Sequence, residues 1–294
     1  MPKVSICIPT YNNIDEVKHL LRSIESQTFT DYEIIITDDS SDNAIEEYVK
    51  EQGFINYTHN IPSLGHIYNW NAAIEKASGE YIKIMFSDDW FTYDDSLEKM
   101  VNMLDEHPDC DLAFCNSMQV SKDDSYKRKL DDDYIEKLRT NWRYVFVSNQ
   151  IGAPSDTLYR NNGIKFDEKS NWASDVELYL MILEKNPDFI STDEPLVSIG
   201  LHDEQYTHTF IPKDPRIIAD YLFMYLKHNL MTDHWCKRHF LERYIVPFGK
   251  DKQYALECGI TAKEYSEVKR RYIIEKKIKE PMRAAKNKLG MKAK

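Results

Sequence analysis

The sequence predicts an α/β fold in which a mostly parallel sheet is flanked by helices. Short apolar runs alternate with stretches of helical periodicity, and only a few residues link one to the next. Two of the predicted strands end in adjacent carboxylates, Asp38–Asp39 and Asp88–Asp89. In an open α/β sheet, ligands bind beyond the carboxyl ends of the strands. The two acidic pairs therefore mark the expected ligand crevice.

The first half of the chain follows this alternation closely. The apolar run at 3–8 is typical of a buried parallel strand, and the proline and asparagines of 9–13 predict a turn after it. Apolar residues at helical spacing predict a helix over 14–27, and Ser40–Asp42 is suited to cap a second helix. The further predicted elements are a strand over 32–39, a helix carrying Ile45, Tyr48 and Val49, a strand over 55–58, a helix over 66–77 and a strand over 81–86.

The second half is less regular and then changes character. Crowded charge over 121–133 indicates an exposed excursion, and from about residue 212 long amphipathic stretches follow one another without strands. We therefore predict a domain over 1–211 and a C-terminal helical appendage over 212–294. The predicted elements before that boundary are helices over 96–106, over 134–147 and from 171–175 onward, with strands over 112–117, 157–159 and 196–201.

Composition places the chain among ordinary globular proteins. It has 294 residues, of which 42% are hydrophobic and 30% charged, and no apolar run approaches the ~20 residues that a membrane span needs. The first residues lead straight into a strand, so we expect no signal peptide. The five cysteines are odd in number and lack metal-ligand spacing, which favours reduced, buried thiols in a cytoplasmic protein.

The net charge of −11 is unevenly distributed. From residue 269 to 294, eleven basic residues stand against two acidic ones, so this segment carries about +9 and the remainder about −20. The acidic body argues against nucleic-acid binding. The basic end is either a solvated terminus or, because isoleucines lie among its lysines, a peripheral contact with an anionic bilayer. The second reading predicts a location at the inner face of the cell membrane.

The acidic pair at Asp88–Asp89 points to metal-assisted diphosphate chemistry. Carboxylate oxygens suit Mg²⁺ or Mn²⁺, and either ion can bridge to phosphate oxygens. No GxGxxG follows the first strand and no GxxxxGK[ST] occurs, which disfavours a dinucleotide fold and a P-loop enzyme. Acidic pairs are common among 49 acidic residues, however, and we interpret the others as solvated loops. Asp38–Asp39 is also consistent with helix capping alone.

Five short motifs occur in a fixed order: VSICIPTYN at 4–12, SQTF at 26–29, EIIITDDSSD at 33–42, GEYI at 79–82 and SDD at 87–89. Together they resemble glycosyltransferase family 2, whose members are inverting enzymes with the GT-A type nucleotide-diphospho-sugar transferase fold. The resemblance is strong over about 3–115, weaker to about 205 and absent beyond. It implies a nucleotide-diphospho-sugar donor, here a UDP-sugar, a carbohydrate or lipid-linked acceptor, and Mn²⁺ or Mg²⁺ as cofactor.

The resemblance assigns a nucleoside-binding role to the loops after the first two strands. Pro9, Tyr11 and Asn12 are similar to the turn that holds the nucleoside, with Tyr11 against the base. Tyr11 is equally consistent with simple packing under the turn. Asp39 is similar to the carboxylate that hydrogen-bonds a uracil ring nitrogen.

The resemblance extends to the diphosphate and the metal. Asn71 is similar to an asparagine that faces the nucleotide, but Trp70 stands where an arginine often precedes it, which removes one expected diphosphate contact. Ser87–Asp89 is similar to the DxD-type element. It implies Asp89 as the direct metal ligand, with Asp88 nearer the ribose or the donor sugar.

Three further residues follow from the weaker part of the resemblance. Asp175 is similar to the catalytic base of a Glu-Asp motif, although Ser174 replaces the glutamate; alternatively it is an ordinary charge at a helix N-terminus. His202 is similar to a histidine that reaches the metal or diphosphate, or is a surface histidine, and Gly200 replaces the usual arginine before it. Trp172 is either a platform for the acceptor or a core residue.

Direct displacement at a sugar carbon needs both kinds of carboxylate. A cation stabilises the departing diphosphate, a positioned base takes the proton of the attacking hydroxyl, and the transition state is oxocarbenium-like. A helix N-terminus favours the ionised form of Asp175. We therefore expect Asp89 and Asp175 to meet across one cavity. A sugar nucleotidyltransferase is disfavoured because no Gly-rich loop follows the first strand, and a catalytically silent nucleotide-sugar-binding or scaffold relative remains the alternative.

Overall fold

The computed structural model describes residues 1–202 and 214–279. The chain divides into two compact units, residues 1–210 and 211–294. The part of the expected basic tail beyond residue 279 lies outside the described residues. Over the described ranges, no helix combines the length and the apolar character needed to cross a membrane.

The first unit is built on one sheet. Its described strands are β1 Val4–Thr10, β2 Tyr32–Asp38, β3 Ile55–His59, β4 Tyr81–Ile84, β5 Asp89–Phe91, β6 Leu112–Val120, β7 Ser125–Lys127, β8 Thr157–Arg160 and β9 Phe189–Gly200. Their order in the sheet is β3-β2-β1-β4-β8-β6-β9-β5, with β7 paired to β6. Strands β1 to β4, β6 and β9 point one way, and β5, β7 and β8 point the other way. The predicted α/β class with a mostly parallel sheet is confirmed.

Helices flank this sheet because their apolar stripes match its buried faces. Every residue of β1 is buried, and α1 buries Val17, Leu20, Leu21 and Ile24 in the same apolar core. The described helices of this unit are α1 Ile14–Glu25, α2 Ala44–Lys50, α3 His66–Glu75, α4 Ser96–Asp105, α5 Asp132–Thr140, α6 Tyr144–Val147 and α7 Ser174–Lys185. As predicted, all five cysteines are buried and unbonded.

The position of β1 fixes where the ligand crevice lies. This strand pairs in parallel with β2 on one side and with β4 on the other, so the order of strands along the chain reverses at β1. The loops after β1, β2 and β4 therefore open at one edge of the sheet, where α/β proteins bind ligands.

Several predicted boundaries were wrong. Strand β1 continues through Pro9 to Thr10, because the pairing with β4 ends at Cys7 and a proline beyond it removes no hydrogen bond on that side. The helix predicted over 134–147 is broken into α5 and α6. The short strand β5, which begins at Asp89 itself, was not predicted; it is held by antiparallel pairing with β9.

The second unit is helical over its described residues, 214–279. Its core includes stacked aromatic rings, such as Tyr225 on Phe240 with ring centroids 4.4 Å apart. The elements are α8 Pro215–Lys227, α9 His234–Phe240, α10 Lys252–Glu257 and α11 Ala262–Ile274, with a 3₁₀ turn at Leu230–Thr232 and π-helical turns at Leu241–Ile245 and Glu275–Lys279.

Gly200 allows β9 to approach the acidic pair. Its N–H donates to the carbonyl oxygen of Asp88 at 3.2 Å, and a Cβ on Gly200 would overlap that same oxygen. The residue that replaces the arginine of the resemblance is thus required by backbone packing.

We expect Gly200→Ala to destabilise the protein, because the added methyl group must push β9 away from Asp88. Overpacking of this kind costs about 1–3 kcal/mol, measured as the free energy of unfolding in a urea titration. Ser191→Ala, on the same strand, is the control and should change that energy by less than about 0.5 kcal/mol. An unchanged Gly200→Ala would show that the close approach is not required.

Candidate active site

A cavity of about 890 Å³ opens at the edge of the sheet where β1, β2 and β4 end. Its volume is in the range of pockets that enclose small-molecule ligands. Its lining includes nine of the ten predicted site residues: Pro9, Tyr11, Asn12, Asp39, Asp88, Asp89, Trp172, Asp175 and His202. The structure therefore brings Asp89 and Asp175 to one cavity.

The loops after β1 and β2 are joined through Asn12. This residue has a left-handed backbone conformation, with φ of 56°, which asparagine tolerates better than most residues. Its Oδ1 accepts from the N–H of Ser41 at 2.9 Å, and its own N–H donates to Oγ of Ser40 at 2.7 Å. Tyr11, beside it, is 61% exposed and lines the cavity, so it does not serve as core packing.

Asp39 holds the loop that leads into α3. Its carboxylate accepts hydrogen bonds from the side chains of Asn60 (2.9 Å) and Ser63 (3.0 Å) and from the N–H groups of Leu64 (3.1 Å) and Gly65 (2.7 Å). A carboxylate offers about four acceptor positions, and these donors occupy them. It does not cap α2, where the first N–H, on Ala44, goes instead to Asp42.

Asn71 is the predicted site residue that the structure does not bring to the cavity. It is buried, and both ends of its amide bind the backbone of Phe166: its Nδ2 donates to the carbonyl oxygen at 2.9 Å and its Oδ1 accepts from the N–H at 3.0 Å. Asn69 and Trp70, on the same helix, line the cavity instead. Adjacent residues of a helix point to different faces, and the motif alone does not determine which residue of α3 faces the cavity.

Aromatic rings form the wall of the cavity near α3. Trp70 packs against Phe86 and Phe166, with ring centroids 4.8 and 5.0 Å apart, and against His66 at 5.3 Å. Trp172 is half-buried and also lines the cavity. The wall offers flat apolar surfaces of the kind that suit a sugar ring.

The acidic pair is divided between two environments. Asp88 is partly exposed, and its Oδ2 lies 3.0 Å from Nε2 of His202. Asp89 is buried, and the Ser155 hydroxyl and the Gly200 backbone beside its carboxylate favour the ionised form. Burial raises the pKa of Asp89 well above its usual range, and the neighbouring charge of Asp88 adds to the effect.

The described lining of the cavity is acidic and carries no lysine or arginine. Asp39, Asp88, Asp89 and Asp175 all face it, so a diphosphate would need a cation beside it. No group of three acidic, histidine or cysteine side chains in 1–202 and 214–279 is arranged to hold a metal. Mg²⁺ commonly takes only one or two protein carboxylates together with substrate phosphates. The oxygen and imidazole donors of Asp88, Asp89 and His202 fit such a divalent cation.

Asp175 lies in the first turn of α7, as predicted, but the helix N-terminus does not decide its charge state in the way we predicted. Burial raises the pKa of Asp175 to about 6, and hydrogen bonds from the Val176 backbone and from Asn149 only partly oppose this effect. The helix N-terminus does not outweigh desolvation here. The carboxylate nevertheless stays mostly ionised at neutral pH.

The segment between α6 and β8 connects both carboxylates. Asn149 donates to Oδ2 of Asp175 at 2.7 Å, and Ser155 binds Asp89. We call residues 149–156 the bridging segment. Its Ala153 and Pro154 line the cavity, and Arg128 clamps it by donating to the carbonyl oxygens of Gln150 (2.8 Å) and Ile151 (3.2 Å).

Lys83 also holds the bridging segment in place. It lies in β4 and is fully buried, and its ammonium donates to the carbonyl oxygens of Ser155 and, at 3.2 Å, of Thr157. Burial lowers the pKa of Lys83 to about 8, while the carboxylates of Asp156 and Asp89 oppose that shift. A lysine between two isoleucines of an apolar strand was the sequence signal for this role.

Curated proteins similar to this chain are glycosyltransferases. An uncharacterized glycosyltransferase of Methanocaldococcus jannaschii is 26% identical over 255 residues, which cover 81% of this chain and 82% of that relative. The poly(ribitol-phosphate) beta-N-acetylglucosaminyltransferase TarS of Staphylococcus aureus is 26% identical over 197 residues, or 65% of this chain and 34% of TarS.

Solved structures share the fold. TarS 1–349 in complex with UDP-GlcNAc has a TM-score of 0.63 at 17% identity, covering 92% of this chain and 81% of that one. The mannosyltransferase PcManGT of Pyrobaculum calidifontis, in complex with GDP-Man and Mn²⁺, has a TM-score of 0.55 at 14% identity, with coverages of 99% and 81%. The fold is thus of the GT-A type.

The family follows from the sequence profile. The profile of glycosyl transferase family 2 matches residues 5–165, more than half of the chain. The chain belongs to glycosyl transferase family 2, and the resemblance drawn from its motifs is confirmed.

We expect Asp175→Asn to stabilise the protein at neutral pH. The pKa of Asp175 is raised in the folded state, so its charge lowers stability as pH rises from about 4 to about 6, and the deficit persists above that range. Removing the charge should raise the free energy of unfolding by about 1–3 kcal/mol near pH 7.5.

The same gain should shrink as the pH is lowered toward 4, where the folded-state carboxyl is protonated and the unfolded-state carboxyl is about half protonated. Urea titrations at both pH values measure it, with Asp123→Asn on the exposed surface as the matched control. A gain that does not depend on pH would contradict the assignment.

Proposed function

We propose that this family 2 member is a metal-dependent, inverting glycosyltransferase that moves a sugar from a UDP-sugar to a hydroxyl group of its acceptor. The observation that carries the proposal is that Asp89 and Asp175, far apart in the sequence, line one cavity at the edge of the sheet. Asp89 lies among oxygen and imidazole donors that suit a divalent cation. Asp175 lies near the start of a helix and acts as the separate base.

The donor assignment is supported by the loops at the ends of β1 and β2. Pro9, Tyr11 and Asn12 hold the nucleoside, and Tyr11 is exposed enough to stack on a base. Asp39 accepts from the uracil ring N–H and gives up one of its loop contacts to do so. TarS has been solved with UDP and with UDP-GlcNAc, and PcManGT with GDP-Man; these complexes support a nucleotide-sugar donor.

The metal assignment is supported by charge. The described lining has four carboxylates and no basic side chain other than histidine, so a diphosphate would be repelled unless a cation lay beside it. Asp89, Asp88 and His202 would hold Mn²⁺ or Mg²⁺, and PcManGT was solved with Mn²⁺. The ion supplies Lewis-acid stabilisation of the departing diphosphate.

Asp175 and the aromatic wall of the cavity act on the acceptor. Asp175 takes the proton of the acceptor hydroxyl as that oxygen attacks the anomeric carbon on the face opposite the diphosphate. A pKa near 6 leaves this base ionised at neutral pH and more basic than an ordinary aspartate, which favours proton transfer. Trp172 stacks on a sugar ring of the acceptor. A carbohydrate or lipid-linked acceptor of polysaccharide or glycoconjugate synthesis fits this arrangement.

We expect the purified chain to release UDP from a UDP-sugar when Mn²⁺ or Mg²⁺ and an acceptor extract are supplied. Asp89→Ala and Asp175→Asn should each reduce turnover by at least about 10²-fold, because each removes a group that acts in the transition state. In the wild type, kcat/KM should fall as pH drops through about 6, where Asp175 is protonated.

UDP binding distinguishes the alternative. Thermal shift with UDP and metal should persist in Asp175→Asn, which removes no predicted donor contact. A wild type that binds UDP without turning over any UDP-sugar would instead be a silent nucleotide-sugar-binding relative. Full activity in Asp89→Ala would refute the metal assignment.

The exposed side of α11 supports a membrane contact near the acceptor pool. Ile273 and Ile274 are 41% and 40% exposed, and they lie between Arg270 and Lys277 on the side of the helix opposite its buried residues Tyr265 and Val268. Such a surface binds anionic lipids through both its charge and its apolar side chains. We place the enzyme at the cytoplasmic face of the cell membrane.

Vesicle co-sedimentation tests this surface. The wild type should bind vesicles that contain anionic lipid and release them at high salt, since each basic residue contributes about 1 kcal/mol. The double variant Ile273→Ser, Ile274→Ser should bind several-fold less, because its apolar contact is lost. Leu256→Ser, at an exposed leucine of α10, is the control. Equal binding by all three proteins, or none by the wild type, would exclude the contact.

A further inference from the structure

The Asn149 side chain can bind in only one orientation. Its Oδ1 accepts from the N–H groups of Ile151 at 3.1 Å and Gly152 at 3.3 Å, and its Nδ2 donates to the carbonyl oxygen of Gly152 at 3.3 Å. A flipped amide would set its N–H₂ against two backbone N–H groups and its oxygen against a carbonyl. Both mismatches would leave donors and acceptors unpaired.

This fixed orientation presents an N–H to Asp175. The remaining hydrogen of Nδ2 donates to Oδ2 of Asp175 at 2.7 Å, a short and charge-assisted bond. A donor of this kind favours the ionised carboxylate over the protonated one. It also restrains the rotation of the Asp175 side chain.

The backbone that the Asn149 amide binds is itself held by neighbouring side chains. The Tyr179 hydroxyl, on the same helix as Asp175, donates to the carbonyl oxygen of Gly152 at 3.1 Å. Arg128 binds the Ile151 carbonyl oxygen and lies 3.6 Å from the buried Asp156. The buried Tyr134 is a further titratable group at this corner, against the backbone of Gln150 and Ile151. Together these groups fix the backbone to which the Asn149 amide is anchored.

We infer that Asn149 is a positioning residue for the reaction: it holds the Asp175 carboxylate in its ionised form and aims it at the acceptor hydroxyl. The inference rests on the proposed function, since it assumes that Asp175 is the base. The burial that raises the pKa of Asp175 to about 6 explains why such a donor is needed. Without it, more of the base would be protonated at neutral pH.

Asn149→Asp separates this role from a merely structural one. Aspartate has nearly the same shape, and its carboxylate still accepts from Ile151 and Gly152, but it offers Asp175 a second negative oxygen in place of an N–H. Two facing carboxylates raise each other's affinity for a proton. The acidic limb of the pH profile, the pH below which kcat/KM falls, should therefore rise by at least about one pH unit. Below that limb, kcat/KM should fall about tenfold per pH unit.

The full test uses the intact chain with UDP-sugar, metal and acceptor, from about pH 5 to about pH 9. Asn149→Ala should shift the limb in the same direction by a smaller amount, and activity should recover at high pH in both variants. The KM for the UDP-sugar should stay within about twofold of the wild type, since no donor contact is removed.

Asn161→Asp is the matched control. Asn161 also braces a turn through its amide, which donates to the Gly79 carbonyl oxygen at 3.0 Å, but it does not line the cavity. This variant should leave the acidic limb in place. Thermal unfolding of each variant verifies that it is folded before its kinetics are compared.

The outcomes separate the inference from the function on which it rests. An active Asp175→Asn would overturn the base assignment itself. If Asp175→Asn is inactive but the Asn149 variants keep the wild-type limb, or lose activity equally at every pH, Asn149 is only a structural brace and the inference fails. An upward shift confined to the Asn149 variants supports it.

Discussion

The structure is constrained most by the concentration of negative charge at one edge of its sheet. Four aspartates face one cavity, and two of them, Asp89 and Asp175, have pKa values raised by burial. Carboxylates brought this close are stable only when donors or cations compensate them. Much of the architecture around the cavity supplies that compensation. Backbone N–H groups at the start of α3 donate to the Asp39 carboxylate, and the His202 imidazole lies within hydrogen-bond distance of Asp88. The Lys83 ammonium donates to a carbonyl oxygen of the bridging segment.

The bridging segment links the two carboxylates to which we assign separate roles. It contacts Asp175 at one end through Asn149 and Asp89 at the other through Ser155. Both contacts come from one short stretch of chain anchored by Arg128 and Lys83, so the relative position of the two carboxylates does not depend on mobile side chains alone. The displacement that we propose would need such control, because small misplacements of the reacting groups are costly.

The sequence predicted the parts of this arrangement that repeat along strands and helices. The apolar runs of β1, β2 and β4 and the acidic pairs at their ends gave the fold class, the position of the cavity and most of its lining. It did not predict contacts made between distant loops. Nothing local distinguishes Asn149 from the other asparagines of the chain, and the orientation of α3 that buries Asn71 and exposes Trp70 to the cavity depends on packing against Phe166. The charge state of Asp175 was misjudged for a related reason: helix position is visible in a sequence, whereas desolvation by residues elsewhere in the chain is not.

The hairpin around β7 has a consequence for anyone who alters this protein. Its tip, residues 122–124, is exposed and charged. The first residue past β7, however, is Arg128, whose guanidinium donates to two carbonyl oxygens of the bridging segment. Trimming the hairpin at its tip leaves Arg128 in place, whereas trimming it at its base removes a support of the segment that contacts both Asp175 and Asp89.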